Sequence, residues 1–170
     1  MRKLLATMAV MTAIAHLGIP VLEACGAKFL VSTRSAHSQR VQRATRPANI
    51  LVYQHNDDAE GVEFMTKLQE WLKGVGHRVT VVPSEGALRE AATTRDFNVV
   101  MMQLDEARRL RSDLMSWSPN TAILPMADFV TRPEAARAKK EFGQMLTLPA
   151  KESQVFSVVE AAVPATSASR

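Results

Sequence analysis

From Asn49 to Val163 the chain alternates short apolar runs with amphipathic stretches, five times in succession. That alternation restricts the fold more than any other feature. The apolar runs are "NILVY" (49–53), "HRVTVV" (77–82), "FNVVMMQL" (97–104), "TAILPM" (121–126) and "QMLTL" (144–148). Runs this short, with little polar alternation, predict strands covered on both faces. The fourth is read as ending at Pro125.

The intervening stretches have helical spacing. "EGVEFMTKLQEWLKGVG" (60–76) puts Phe64, Met65, Leu68, Leu72 and Val75 on one face, and Gly74 and Gly76 offer a stop. Ser84 is placed to N-cap "EGALREAATT", with Leu88, Ala91 and Ala92 inward. "DEARRLRSDLMSW" (105–117) turns Ala107, Leu110 and Leu114 inward. Thr131 precedes "RPEAARAKKEF", where an early proline is tolerated. "ESQVFSVVEAAV" (152–163) closes the pattern with Val155, Phe156, Val159 and Val163. Strands alternating with helices imply a parallel sheet, and right-handed crossovers put helices on both of its faces. The expected fold class is α/β: a three-layer α/β/α sandwich with a five-stranded parallel sheet.

Upstream lies a different kind of segment. Residues 1 to 25 read "MRKLLATMAVMTAIAHLGIPVLEAC". Arg2 and Lys3 precede an apolar stretch from Leu4 to Ala15, and Gly18 and Pro20 break it before a short polar region. This is the architecture of an export signal peptide, with Leu22 and Ala24 at the −3 and −1 positions of a cut before Cys25. The competing reading is an uncleaved anchor, since Leu4 to Leu22 approaches the roughly 20 residues that span a bilayer. His16, Gly18 and Pro20 weigh against it. Cys25 is the single cysteine, so no intramolecular disulfide can form. "LEAC" resembles a bacterial lipobox, with Glu23 as a departure, and makes Cys25 a candidate lipid-attachment site. The alternative is a cysteine that merely begins the mature chain.

The formal net charge of +4 looks like a nucleic-acid signature until it is mapped. Of 21 Lys and Arg and 17 Asp and Glu, residues 1 to 48 hold seven basic residues and Glu23 alone; the rest carries 14 basic and 16 acidic, net −2. The positive charge therefore belongs to the leader and the connector behind it, not to a DNA-reading face. Aromatic content of 5% also argues against a stacking platform for single strands. No specific nucleic-acid partner is expected. The chain divides into a signal peptide (1–24), a basic connector (25–48), an α/β domain (49–163) and a tail (164–170). In the connector, "KFLV" has the pattern of a short strand docked on the domain, and "STRSAHSQRVQRATRPA" reads as a solvated tether. Its basic residues, within 25–46, suit contact with an anionic membrane or surface, or serve as a linker without a specific partner.

Order, spacing and strand endings of residues 49–163 resemble a response-regulator receiver domain, flavodoxin-like in fold; "NILVY", "FNVVMMQL", "TAILPM" and "MLTLPA" carry the resemblance. It implies a site at the carboxyl ends of the strands, which this sequence lacks. Receivers hold magnesium with two acidic residues after the first strand; here stand Gln54 and His55. Their phospho-accepting aspartate ends the third strand; here it is Gln103. A Thr or Ser ends their fourth strand, where this chain has Pro125 and Met126. Their lysine before a proline is replaced by Leu148, although Pro149 remains. Magnesium prefers hard anionic oxygens, and phosphoryl transfer needs a carboxylate nucleophile. The expectation is a degenerate receiver: no enzyme, no catalytic residue, no metal, no cofactor. Asp57, Asp58 and Asp105 lie close by and are read as helix-entry acids facing water and the helix dipole.

The remaining polar candidates point nowhere in particular. No G-x-G-x-x-G follows the first strand and no phosphate-binding G-x-x-x-x-G-K-[ST] occurs. His37, His55 and His77 lack metal-ligand spacing and are read as surface residues. Trp71 and Trp117 are read as core-edge residues; Arg108, Arg109 and Arg111 as a solvated face rather than a site for an acidic partner. The expected function is an exported pseudo-receiver serving as an interaction or scaffold module for an unidentified protein in the periplasm or cell envelope. The alternative is a small-molecule or ion-binding domain using the edge around Gln54, His55 and Gln103. An enzyme with an unfamiliar site is the third.

Overall fold

The structure, a computed structural model, describes residues 30–31, 43–55 and 59–164. The leader, Cys25, His37, Asp57, Asp58 and the last residues of the tail lie outside the described residues. In chain order the elements are β1 (Leu30–Val31), β2 (Asn49–Tyr53), α1 (Ala59–Gly74), β3 (Arg78–Val82), α2 (Glu85–Thr94) and β4 (Val99–Gln103). Then follow α3 (Leu104–Trp117), β5 (Ala122–Asp128), α4 (Arg132–Phe142), β6 (Leu146–Leu148), β7 (Ala150–Lys151) and α5 (Glu152–Ala162).

The main sheet has five parallel strands in the order β3-β2-β4-β5-β6. Period-two alternation assigns each residue to one of two cores. Ile50, Val52, Val99, Met101, Leu124 and Met126 meet α1 and α5, through Leu68, Leu72, Val155 and Val159. Leu51, Tyr53, Val100, Met102 and Ile123 meet α2 and α3, through Leu88, Leu110 and Leu114. A smaller cluster of Leu104, Ala127, Ala138 and Met145 seats α4. The architecture is thus the expected three-layer sandwich with a flavodoxin-like strand order. The helix faces follow the expected spacing: Phe64, Met65, Leu68, Leu72 and Val75 are all buried. Ala91 and Phe156 are half-buried rather than fully inward. Trp71 and Trp117 lie at the edges of the two cores, as expected.

The helix ends obey local chemistry. Ser84 Oγ accepts from the Ala87 N–H at 3.3 Å, and Thr131 Oγ1 from the Glu134 N–H at 3.4 Å, satisfying amide groups that a helix start leaves open. Gly143 closes α4 at φ 80°, and Gly76 turns the chain into β3 at φ 109°; side chains avoid this left-handed region.

Three findings correct the reading of the sequence. First, β5 does not end at Pro125 but runs two residues past Met126 to Asp128. Proline interrupts a strand by removing a ladder donor. Here β6 pairs only from Met126 onward, so at Pro125 the strand has one neighbour and the loss is tolerated. Second, His77 is no surface residue: it is 3% exposed. Its Nδ1 accepts from the Ala48 N–H at 3.2 Å, which places its proton on Nε2. Third, residues 43–48 are not a solvated tether. The Ala44 N–H donates to Val75 O at 2.7 Å, and the Arg46 guanidinium to Glu160 O at 2.9 Å. Ala48 is buried. The "KFLV" expectation holds in its last two residues: Leu30 and Val31 lie parallel to Ala150 and Lys151.

Candidate functional site

The strand order reverses direction at β2: the chain moves to β3 on one side, then crosses to β4 on the other. Connections on the two sides leave by opposite faces, so a crevice opens at the carboxyl ends of β2 and β4. A cleft of about 510 Å³ occupies this place. Tyr53, Gln54 and His55 border it from β2, Gln103 to Glu106 from the β4–α3 junction, and Met126 to Val130 from the end of β5. Gly61, Phe64 and Met65 of α1 and Glu134 of α4 complete the lining.

The residues singled out from the sequence divide at this cleft. Gln103 lines it as the last residue of β4, level with Met126 in the β4–β5 register. Its backbone is extended (φ −62°, ψ 148°), and it precedes α3 without a side-chain capping bond. Gln54 lines the cleft beside it, and its N–H donates to Val82 O at 3.0 Å. His55 is exposed, as expected, and stacks on Tyr53 with ring centroids 6.0 Å apart. Met126 is buried and lines the cleft. Leu148 does not join them: it is buried in the core shared with α1 and α5, where it packs as an apolar residue. The Leu148–Pro149 peptide is cis.

Acidic side chains are present, but α3 binds most of them. Glu106 lies 2.6 Å from Arg109, which also reaches Glu85 at 2.8 Å. These two carboxylates hold the Arg109 guanidinium well above its ordinary pKa. Arg108 contacts Glu134 at 3.4 Å and Glu141 at 3.6 Å, with Asp105 at 3.9 Å. Arg111 reaches Glu141 at 3.7 Å and lies over the Phe142 ring. The three arginines are therefore not simply a solvated face; they tie α3 to α2 and α4. Asp105 and Glu106 stand in the first turn of α3, where negative charge complements the helix dipole. Among the described residues no group of three His, Cys, Asp or Glu is placed to hold a metal ion. Burial, and secondarily Glu106, pushes the Tyr53 hydroxyl above its ordinary pKa, so it stays protonated at neutral pH.

One residue that the sequence reading passed over stands out. Phe129 follows β5 at φ 49° and is 86% exposed on the cleft rim. A bulky side chain in the left-handed region carries strain of roughly 1–2 kcal/mol. Neighbouring structure holds it there: β5 ends at Asp128 and Thr131 caps α4. A large apolar residue directly between a strand end and a helix cap was the only signal in the sequence.

No protein-family model matches the chain, and no curated protein matches it. Among solved structures it is similar to a response regulator protein from Burkholderia pseudomallei, determined with a phosphorylated aspartic acid, calcium ion and citrate. The TM-score is 0.52 at 20% identity, over 65% of this chain and 65% of that one. At that identity the likeness establishes the fold, which is receiver-like, and the chain spans about two thirds of that structure's length.

Proposed function

We propose that this chain is an exported, receiver-like domain without phosphotransfer chemistry, acting as a protein-interaction or scaffold module of the bacterial cell envelope. The carrying observation is the end of the central strand. Gln103 occupies the point where the cleft opens between β2 and β5, level with Met126 and flanked by Gln54. An amide is not a nucleophile for phosphoryl groups, and neutral side chains do not hold magnesium. The carboxylates Glu106 and Glu134 already face arginines, which favours a structural use for them. The leader pattern before Cys25 supports export, and the basic residues within 25–46 support contact with an anionic surface.

Incubation with acetyl phosphate and magnesium, followed by intact mass measurement, tests the chemistry. The expected spectrum is unchanged. A hydroxylamine-sensitive phosphate adduct on Asp57, Asp58 or Asp105 overturns the reading. Intact mass of the protein from an envelope fraction tests export: residues 1–24 should be missing. An acyl increment lost in Cys25→Ser assigns a lipid anchor, and a full-length cytosolic chain rejects export. Among the described residues no helix is long and apolar enough to cross a membrane.

The cleft itself favours a second reading, a small-molecule or ion-binding domain. Its volume of about 510 Å³ falls within the usual range for such sites. A saturable ligand displaced by Gln103→Ala would support that reading.

A further inference from the structure

The carboxyl-edge cleft has three properties that phosphotransfer does not explain. Its rim carries Phe129, the most exposed large apolar residue among the described ones, on a backbone pinned between β5 and the Thr131 cap. Its lining includes the buried apolar side chains of Met65 and Met126. Among the described residues its lining includes four carboxylates, Asp105, Glu106, Asp128 and Glu134, and neither lysine nor arginine. Arg108 and Arg109 approach these acids but do not line the cleft.

These properties select the chemistry of an occupant. An exposed aromatic on an already ordered backbone suits an interface anchor, because little backbone freedom remains to be lost on binding. The negative charge left over once Arg109 and Arg108 have paired with Glu106 and Glu134 disfavours acidic partners and attracts cationic ones. A lysine or arginine set over the ring adds attraction to its π face. A chain crossing the rim covers the exposed ring of Phe129 as well as the cleft. We propose that the cleft and Phe129 form the docking site for a basic segment of a partner protein. An apolar side chain of that segment packs on Phe129 and the apolar lining, and its Lys or Arg residues face the carboxylates. This rests on the interaction-module reading and names the chemistry of the partner.

The test uses the full chain and three pools of dye-labelled dodecapeptides, read by fluorescence anisotropy. One pool combines Lys and Arg with a Phe, Trp or Leu; one replaces the basic residues with Glu; one keeps the charge and omits the apolar residue. The first pool should bind, and binding should weaken with salt. Phe129→Asn deletes the ring while tolerating the left-handed backbone, and should weaken binding about tenfold or more. Asp105→Asn, at a side chain almost wholly in solvent, should weaken it less and flatten the salt dependence. Circular dichroism, with Phe129→Gly as a second variant, establishes that the loss is not unfolding. No binding by the first pool, equal binding by the acidic pool, or binding indifferent to Phe129→Asn overturns the proposal. Concentration-dependent self-association abolished by Phe129→Asn assigns the surface to a second copy instead and also overturns it. A phosphate adduct from acetyl phosphate would reject the module reading while leaving the peptide result standing. Absence of both adduct and peptide binding removes only the docking proposal.

Discussion

Val100→Ala is the sharpest test of the fold, because Val100 lies in the central strand and is paired on both sides. Its Cα partners are Leu51 in β2 and Ile123 in β5, and its side chain is fully buried among α2 and α3 residues. The substitution removes two methyl groups. At about 0.8 kcal/mol per buried methyl or methylene, the transfer cost is roughly 1.6 kcal/mol. A partly unrelaxed cavity adds to this, giving about 2–3 kcal/mol in total. Collapse is hindered on both sides, since the flanking strands fix Leu51 and Ile123 in register. Val81→Ala is the matched control: Val81 is half-buried on the edge strand β3 and should cost about 1 kcal/mol or less. Urea denaturation followed by far-UV circular dichroism measures both, with an unchanged slope certifying that only stability moved. A loss at Val100 within about 0.5 kcal/mol of wild type, or equal losses at both positions, would show that β4 is not the centre of the sheet.

Three further outcomes follow. Millimolar magnesium should shift the melting temperature by less than about 1 °C, because a ligand stabilises only by preferring the folded state; a rise of several degrees in differential scanning fluorimetry would reveal a working cation site. Phe129→Asn should leave stability within about 1 kcal/mol of wild type, since the ring is exposed and the strain is partly relieved; a loss above about 2 kcal/mol in urea would mean the ring is part of the core. His77 should make the domain acid-sensitive. Burial lowers its folded pKa and the nearby Glu160 opposes this only in part, so the unfolded chain binds the proton more readily. Stability is then full above the ordinary histidine value of about 6.5 and falls as pH drops from there through the lowered folded value. His77→Asn keeps an acceptor for the Ala48 N–H and removes the titration; urea midpoints at several pH values should lose that part of the slope, and an unchanged slope rejects the assignment.

The fold was legible because each level of the sequence agreed. The spacing of Leu68 and Leu72, the caps at Ser84 and Thr131, and the unbroken run Val99 to Met102 all specify one arrangement, and helix boundaries such as 85–94 and 132–142 came out as read. The failures share a cause. His77, Pro125 and residues 43–48 were judged by residue type, whereas their state is set by long-range neighbours: a backbone amide 29 positions away in the sequence, a strand that begins to pair one residue later, and a helix end that accepts the Ala44 amide. At the site, the positions of Gln54 and Gln103 followed from the strand ends, whereas Met126 lies two residues inside β5 and reaches the cleft through its register with Gln103. Leu148 could be seen as uncharged but not as core. Phe129 was invisible, because a positive φ on a phenylalanine comes from the surrounding frame and not from its own preference.

The cleft and the chemistry expected of it have separate origins. The crevice arises because the chain leaves β2 toward β3 and later crosses to β4 on the other side, a consequence of strand order alone. Nothing in that geometry requires a carboxylate at Gln103. An acidic cluster at the strand ends would crowd like charges and need a cation to offset them. With Gln54 and Gln103 there, the carboxyl ends of β2 and β4 add no such charge; Asp128 ends β5 at the cleft, and α3 pairs Arg109 with Glu106 and Arg108 with Glu134. The expectation is therefore a concavity whose stability does not depend on a metal, which the magnesium titration checks. Among the described residues the one non-glycine in the left-handed region is Phe129, on the rim, where relieving the strain would remove an exposed ring and almost no buried surface. Strain, exposure and a small share in the core are together what the proposed docking role of Phe129 would account for.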